Sequence, residues 1–262
     1  MAWRACSGSS GDARNEYRAP PHAGGGKFRL VAIYHLSVRI VSRGKGQSAV
    51  AVAARRAAER LYDRRLGLHV RPDRGASRPT FSAIMLPADA PAWMSEREEL
   101  WNAVEAAENR LDAHLARELE LALPIELEGE QTIALAREFV QQEFIQHGII
   151  ADLTIRLGGS NPCANAMLTL REVTAEGFGC KVREWNQAGL LREWREHWAA
   201  LANEYLRRAG HEVRIDHRRQ RDQAEAVHLG KAASAMQRRG LVHERLRRLE
   251  AMQGGRQSRD RA

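Results

Sequence analysis

The chain has 262 residues, of which 44% are hydrophobic and 28% charged, and its formal net charge at pH 7 is +8. A chain of this length and composition buries a substantial core, which excludes a wholly disordered or fibrous protein. It has no run of ~18 apolar residues and no apolar signal-peptide core, so we expect a cytoplasmic protein without a membrane span. Three scattered cysteines are too few for a disulfide framework or a zinc ribbon.

The excess positive charge lies towards the C-terminal end. From Arg207 to Ala262 there are 15 Lys and Arg against 7 Asp and Glu, and this difference of 8 equals the net charge of the chain. A basic tail suits a polyanion, although a solvated charged helix is the plainer interpretation. Residues 1–30 mix Ser, Gly, Pro and Arg without periodicity, which predicts a disordered extension. We therefore expect an extension at 1–30, a folded domain at 31–215 and a basic tail at 216–262.

The first half of the folded domain alternates between strands and helices. In VAIYHLSVRIV (31–41) apolar and polar residues alternate, which predicts a strand with one buried face. The Ala-rich segment SAVAVAARRAAERLYD (48–63) starts with a capping serine and predicts a helix. PTFSAIMLP (79–87) is a second strand that stops at proline, and residues 91–112 carry Trp and Leu at helical spacing.

The second half continues this alternation. LARELELALP (115–124) is a third strand, residues 129–148 form an amphipathic helix, and IIADLTIRL (149–157) is a fourth strand. A Gly-rich turn leads into a fifth strand at 163–173, and a long amphipathic helix follows at about 186–208. Strands separated by helices, with two neighbouring strands joined by a short turn, predict a mixed α/β fold with a largely antiparallel sheet.

The start of the fifth strand, NPCANAMLTL (161–170), has the shape of a metal-binding strand. Cys163, Asn165, Met167 and Thr169 share one face, because successive side chains of a strand point to opposite sides. Positions 163 and 165 are therefore placed like a paired H-x-H ligand site, but they hold a thiol and an amide.

Several segments together resemble the MobA/MobL relaxases of mobilisable plasmids. They are AIYHLSVRIVSRGKGQSAVA, ENRLDAHLARELELALP, IIADLTIRLGGSNPCANAMLTLREV, GCKVREWN and RIDHR followed by HLGKAASAMQRRG. The resemblance covers roughly residues 31–245. It implies a relaxase-like, two-layer α/β domain with a five-stranded antiparallel sheet. It also implies cleavage of one DNA strand at a transfer origin and covalent attachment to the new 5′ end.

The resemblance further implies a tyrosine nucleophile and a divalent metal held by three histidines, and all four positions differ here. The tyrosine position in GQSAVAVAARRAA is Arg55, and the histidine that closes ADLTIR is Arg156. The remaining two ligand positions, in NPCAN, are Cys163 and Asn165.

These replacements remove the chemistry that the resemblance implies. A guanidinium stays protonated and has no lone pair for attack, so Arg55 is no nucleophile. Arg156 repels a cation, Asn165 offers a neutral oxygen, and one soft thiolate at Cys163 does not hold Mg²⁺ or Mn²⁺. We therefore predict no catalytic residue, no metal and no cofactor. Glu118 and Glu120 match the family pattern, but a role as polar strand residues explains them equally well.

Three hypotheses remain open from the sequence. The first is a catalytically inactive relaxase-like domain that binds single-stranded or hairpin DNA and associates with an intact mobilisation complex. The second is an active transesterase with an unrecognised nucleophile such as Tyr62, which we expect on the same helix face as Arg55, seven residues further on. The third is a folded remnant without a ligand.

The DNA-binding hypothesis depends on basic side chains, since guanidinium groups hold phosphates bidentately. The candidates flank the predicted strand ends and the replaced site, and they are Arg39, Arg43, Lys45, Arg55, Arg110, Arg117, Arg156, Arg171, Lys181 and Arg183.

Overall fold

The computed structural model describes residues 35–73, 75–158, 161–183, 185 and 188–217. The predicted extension at 1–30, the residues at 31–34 and the tail beyond 217 lie outside the described residues. The described residues form nine strands: β1 (Leu36–Ser42), β2 (Leu61–Asp63), β3 (Leu68–Val70), β4 (Phe81–Met85), β5 (His114–Ala122), β6 (Ala151–Arg156), β7 (Cys163–Leu168), β8 (Arg171–Thr174) and β9 (Gly177–Lys181). Four α-helices accompany them: α1 (Ala49–Ala57), α2 (Arg97–Ala107), α3 (Gly129–Glu143) and α4 (Ala188–Arg208).

The five predicted strands form one sheet in the order β1-β5-β7-β6-β4. Every neighbouring pair in it is antiparallel. The predicted five-stranded antiparallel sheet with flanking helices is therefore confirmed. The central strand β7 is buried along its whole length, because helices cover both faces of the sheet.

The two helix pairs build separate hydrophobic cores on the two faces. Helices α1 and α2 pack on one face, where Trp101 and Met167 are fully buried. Helices α3 and α4 pack on the other, where Phe139 and Trp198 meet edge to face against the sheet. Helices on both faces add a layer to the two that the family resemblance implies. Among the described residues, no helix is long and apolar enough to cross a membrane.

The predicted helix at 48–63 is wrong beyond Ala57. Its start is as expected, because the Ser48 hydroxyl accepts a hydrogen bond from the Ala51 N–H. The helix stops because Ala58 adopts the left-handed conformation, with φ 54° and ψ 42°. The chain then turns into the short hairpin β2–β3, so Tyr62 lies on a strand opposite His69 and not on a helix.

The predicted fifth strand is divided in two. Strand β7 ends at Leu168, and the Thr169 hydroxyl accepts from the Ile150 N–H at 3.1 Å and donates to the Arg171 carbonyl at 3.1 Å. These bonds turn the chain out of the main sheet, and residues 171–181 form the separate hairpin β8–β9. The predicted helix at 91–112 is likewise shorter, since a 3-10 turn at Ala92–Ser95 precedes α2.

Candidate functional site

Three of the four positions singled out in the sequence meet on the sheet face that α1 covers. Arg156 on β6 lies directly opposite Cys163 on β7, and Asn165 lies between Thr154 on β6 and Glu120 on β5. Residues directly opposite each other in an antiparallel pair share a face, so Arg156, Cys163 and Asn165 are close neighbours. This geometry is what three converging metal ligands would need.

The side chains on β7 are buried at this face. Asn165 is 1% exposed, and neither its amide nitrogen nor its amide oxygen has a hydrogen-bond partner. Cys163 is 3% exposed, and its sulfur is disulfide-bonded. Buried polar atoms normally find a partner, so the unsatisfied amide marks Asn165 as unusual.

Arg156 connects the sheet to the end of α1. Its Nη2 donates a hydrogen bond to the Arg56 carbonyl at 2.6 Å, while its Nη1 is buried and has no partner. The pKa of Arg156 is lowered, first by burial and then by the positive charge of Arg56. An arginine pKa starts so high that the side chain remains charged at neutral pH.

Arg56 is a member of the site that the sequence reasoning missed. Its Nε donates to Glu118 Oε1 at 2.5 Å, and Arg39 approaches Glu118 at 3.3 Å and Glu120 at 3.2 Å. The signal was helical spacing: position 56 follows the buried Val52 and Ala53 by four and three residues, which places it on the inner face of α1. Arg55, at the implied tyrosine position, is exposed and has no polar partner in the described part of the chain.

Asp152 anchors the same face of β6 to α2. Its carboxylate receives hydrogen bonds from Arg97 at 2.8 and 2.9 Å and from the Trp101 indole N–H at 2.9 Å. Burial lowers the pKa of Arg97, but bonds to Asp152 and Glu59 outweigh it and raise that pKa overall. This closed network fixes β6, and therefore Arg156, against the helices.

The other basic candidates have different surroundings. Arg43 is largely buried, pairs with Glu105 at 2.7 Å and donates to backbone carbonyls near the end of α2. Arg117 is 3% exposed and lies on the opposite face, 5.7 Å from the rings of Trp185 and Trp194.

Five candidates lie nearer the surface. Arg171 and Lys181 share Glu108, at 3.0 and 2.9 Å. Lys45, Arg110 and Arg183 are exposed. The candidates therefore do not form one continuous surface.

Tyr62, the nucleophile of the alternative hypothesis, lies on the hairpin β2–β3. It lies on β2, where its ring packs against His69 with centroids 4.9 Å apart, and its N–H donates to Glu98 at 2.7 Å. The expectation that it extends the Arg55 face of a helix is wrong, because α1 ends before it.

The residues at the three ligand positions do not fit a divalent cation. They present a guanidinium, an amide and a bonded sulfur, and two further arginines neutralise the carboxylates beside them. Within the described ranges, no group of three or more His, Cys, Asp or Glu side chains is arranged to hold a metal ion.

Comparison with known proteins shows the family to which the chain belongs. The model of the MobA/MobL family matches residues 47–239, a span that includes α1 and all four altered positions. The chain belongs to the MobA/MobL family. The predicted family is confirmed.

Relatives within the MobA/MobL family carry names of plasmid transfer and mobilisation proteins. A probable conjugal transfer protein TraA of Sinorhizobium fredii is 33% identical over 85% of this chain and 23% of its own length. The mobilization protein MobL of Acidithiobacillus ferridurans is 33% identical over 80% of this chain and 65% of its own length. This chain therefore spans less than a quarter of that TraA relative.

A solved structure described as the molecular basis of vancomycin resistance transfer in Staphylococcus aureus shares the fold. It has a TM-score of 0.67 and 32% sequence identity, and it covers 72% of this chain and 100% of its own.

Proposed function

We propose that this chain is a MobA/MobL domain that binds single-stranded or hairpin DNA of a transfer origin without breaking it. The observation that carries the proposal is the charge at the altered site. Arg55 and Arg156 stand where the family resemblance implies a phenol and an imidazole. Arg156 donates to the Arg56 carbonyl, and Arg56 shares Glu118 with Arg39.

The loss of strand breakage follows from the side chains present. Transesterification needs an oxygen nucleophile within ~3.5 Å of phosphorus and positive charge to stabilise the transition state. Arg55 supplies no oxygen, and Tyr62 lies on another element. Positive charge remains at the site, but the group that would attack is missing.

Retention of DNA follows from the charges that the fold leaves accessible. Lys45, Arg55, Arg110 and Arg183 are exposed, and Arg39 is 49% exposed. Arginine and lysine near single-stranded DNA gain affinity through released counterions. We leave Arg43 and Arg117 out of the residues proposed to contact DNA because both are enclosed by the fold.

The cellular setting is part of the same proposal. The relatives' names refer to conjugal transfer and mobilisation. A domain that binds an origin without cutting it would act in the cytoplasm beside an intact mobilisation complex, as an accessory or a competitor. The basic segment at 216–262 adds positive charge to it.

Fluorescence anisotropy with labelled hairpin and single-stranded oligonucleotides, in EDTA and over a salt series, tests the binding. We expect metal-independent binding whose log Kd rises with log salt by about 0.7 per phosphate contacted. Arg55→Gln should weaken binding, and Arg207→Gln on α4, which removes one exposed charge elsewhere, serves as the matched control. Absence of binding at low salt would refute the proposal and leave the folded-remnant hypothesis.

A further inference from the structure

The altered ligand positions combine unused donors with an excess of positive charge. Arg156 Nη1 and both amide atoms of Asn165 are buried and lack partners, and the two residues sit on the same face of adjacent strands. An unsatisfied polar atom in a native interior calls for an explanation, and a bound ligand is one such explanation. Since Arg156 and the Asn165 amide nitrogen are donors, the ligand they share must be an acceptor.

The charges around these donors exclude a cation and favour an anion. Five charged side chains face one another here: Arg39, Arg56, Arg156, Glu118 and Glu120. Three positive charges against two negative ones leave +1. Both carboxylates are already held by Arg39 and Arg56, so neither is free to ligate a metal.

We propose that Arg156 and Asn165 bind a tetrahedral phosphate oxyanion directly, with the guanidinium of Arg156 in place of the divalent cation that the family resemblance implies. The proposal builds on the proposed function and specifies the ligand chemistry of its site. Arg156 uses one nitrogen to hold the end of α1 and presents the other to the phosphate, and the Asn165 amide donates the second hydrogen bond. The positive charge at this site then comes from the protein itself, so phosphate binding does not require a metal ion.

Two sources of phosphate fit this chemistry, and they differ at the Asn165 amide oxygen. Inorganic phosphate at neutral pH carries a P–OH group that can donate to this oxygen, whereas a phosphodiester has no such proton. Inorganic phosphate and a thymidine dinucleotide with one phosphodiester therefore distinguish free phosphate from nucleic acid as the natural ligand.

The test is isothermal titration of the EDTA-treated full chain with each of these probes, together with electron paramagnetic resonance of Mn²⁺ added alone. We expect at least one probe to bind in EDTA and Mn²⁺ to remain free. Arg156→Gln and the isosteric Asn165→Asp should each weaken that binding by about ten-fold, the loss expected for one charge-assisted hydrogen bond. Arg207→Gln on α4, confirmed as folded by circular dichroism like the other variants, should bind as the unmodified chain does.

The outcomes separate this inference from the proposed function. If neither probe binds the unmodified chain, or if binding requires Mn²⁺, the oxyanion site is refuted whatever the variants do. If hairpin DNA binds equally well to the Arg156 and Asn165 variants while phosphate does not bind, only the oxyanion site falls. If phosphate binds but no oligonucleotide does at low salt, the site stands and the proposed DNA function falls.

Discussion

Arg156 shows at the scale of one residue how a replaced ligand position can gain another use. Its guanidinium donates to the last turn of α1, where unpaired carbonyls and the helix dipole favour a cation. An imidazole at this position would be shorter and uncharged at neutral pH. The arginine offers no lone pair to a metal, and it ties α1 to β6.

The end of α1 contains a strained residue next to this contact. Ala58 is the one non-glycine residue with positive φ among the described residues, and this conformation costs an alanine roughly 1 kcal/mol. We expect Ala58→Gly to raise the free energy of unfolding by roughly 1 kcal/mol, measured by urea denaturation. The matched control is Ala103→Gly inside α2, which should lower it by about 1 kcal/mol. A loss of stability in Ala58→Gly would contradict the assignment of strain.

Tyr205 makes the stability of the fold depend on pH in a direction that can be predicted. Burial first, and then the hydrogen bond to Glu138 at 2.6 Å, raise the pKa of Tyr205 to about 12. Because the pKa of Tyr205 is higher in the folded than in the unfolded chain, its protonated hydroxyl stabilises the fold fully below about pH 10. This stabilisation is lost as pH rises towards 12. In urea titrations, the stability difference between the unmodified chain and Tyr205→Phe should therefore shrink above pH 10. Glu138→Gln should move that loss to lower pH, and a difference that grows with pH would contradict the account.

At the scale of elements, long alternating segments were predictable and short ones were not. Strands β1, β5 and β6 show apolar and polar alternation, and the 129–148 helix shows a clear apolar face. Strands β2 and β3 have three residues each, too few for a period of two to stand out, and the good helix formers Glu59 and Arg60 extend the apparent helix.

The site, too, could be predicted from the sequence only in part. Which residues share a face of β7 follows from strand geometry alone. That Arg156 lies opposite Cys163, and that Arg56 holds Glu118, depend on strand register and helix packing. Those are set by tertiary contacts that no local pattern contains.

The hairpin β2–β3 is joined to α1 through one hydroxyl. Ser48 caps α1 and also donates to the fully buried Asp63 at 2.5 Å. Ser48→Ala removes the cap and leaves a buried acceptor with one bond fewer, so we expect a loss of about 2 kcal/mol in the free energy of unfolding. Ser95→Ala, whose hydroxyl makes one exposed bond to a backbone carbonyl, should change it by less than about 0.5 kcal/mol. Equal effects of the two changes would contradict the dual role of Ser48.

For the described part of the chain as a whole, the family scaffold is retained. The MobA/MobL match, the shared fold and the buried cores on both faces of the sheet agree with one another. Three of the four positions at which the family resemblance implies reactive groups, Arg156, Cys163 and Asn165, are brought together by the sheet register.

Restoring the four implied residues tests whether the scaffold is still suited to a metal. Arg55→Tyr, Arg156→His, Cys163→His and Asn165→His together should produce Mn²⁺ binding, because positions 156, 163 and 165 converge on one face. The version that keeps Arg55 is the matched control, and it should bind Mn²⁺ without forming a DNA adduct. A folded restored variant that binds no Mn²⁺ would mean that the site lies elsewhere.

The most direct test of whether the chain can cleave DNA and attach to it covalently uses the unmodified chain. It is incubated with labelled single-stranded origin oligonucleotide and Mn²⁺, then separated under denaturing conditions and analysed by mass spectrometry. Our account predicts no protein mass increased by a DNA fragment, since Arg55 supplies no nucleophilic oxygen. A covalent adduct through a side-chain oxygen, at Tyr62 or any other residue, would contradict it.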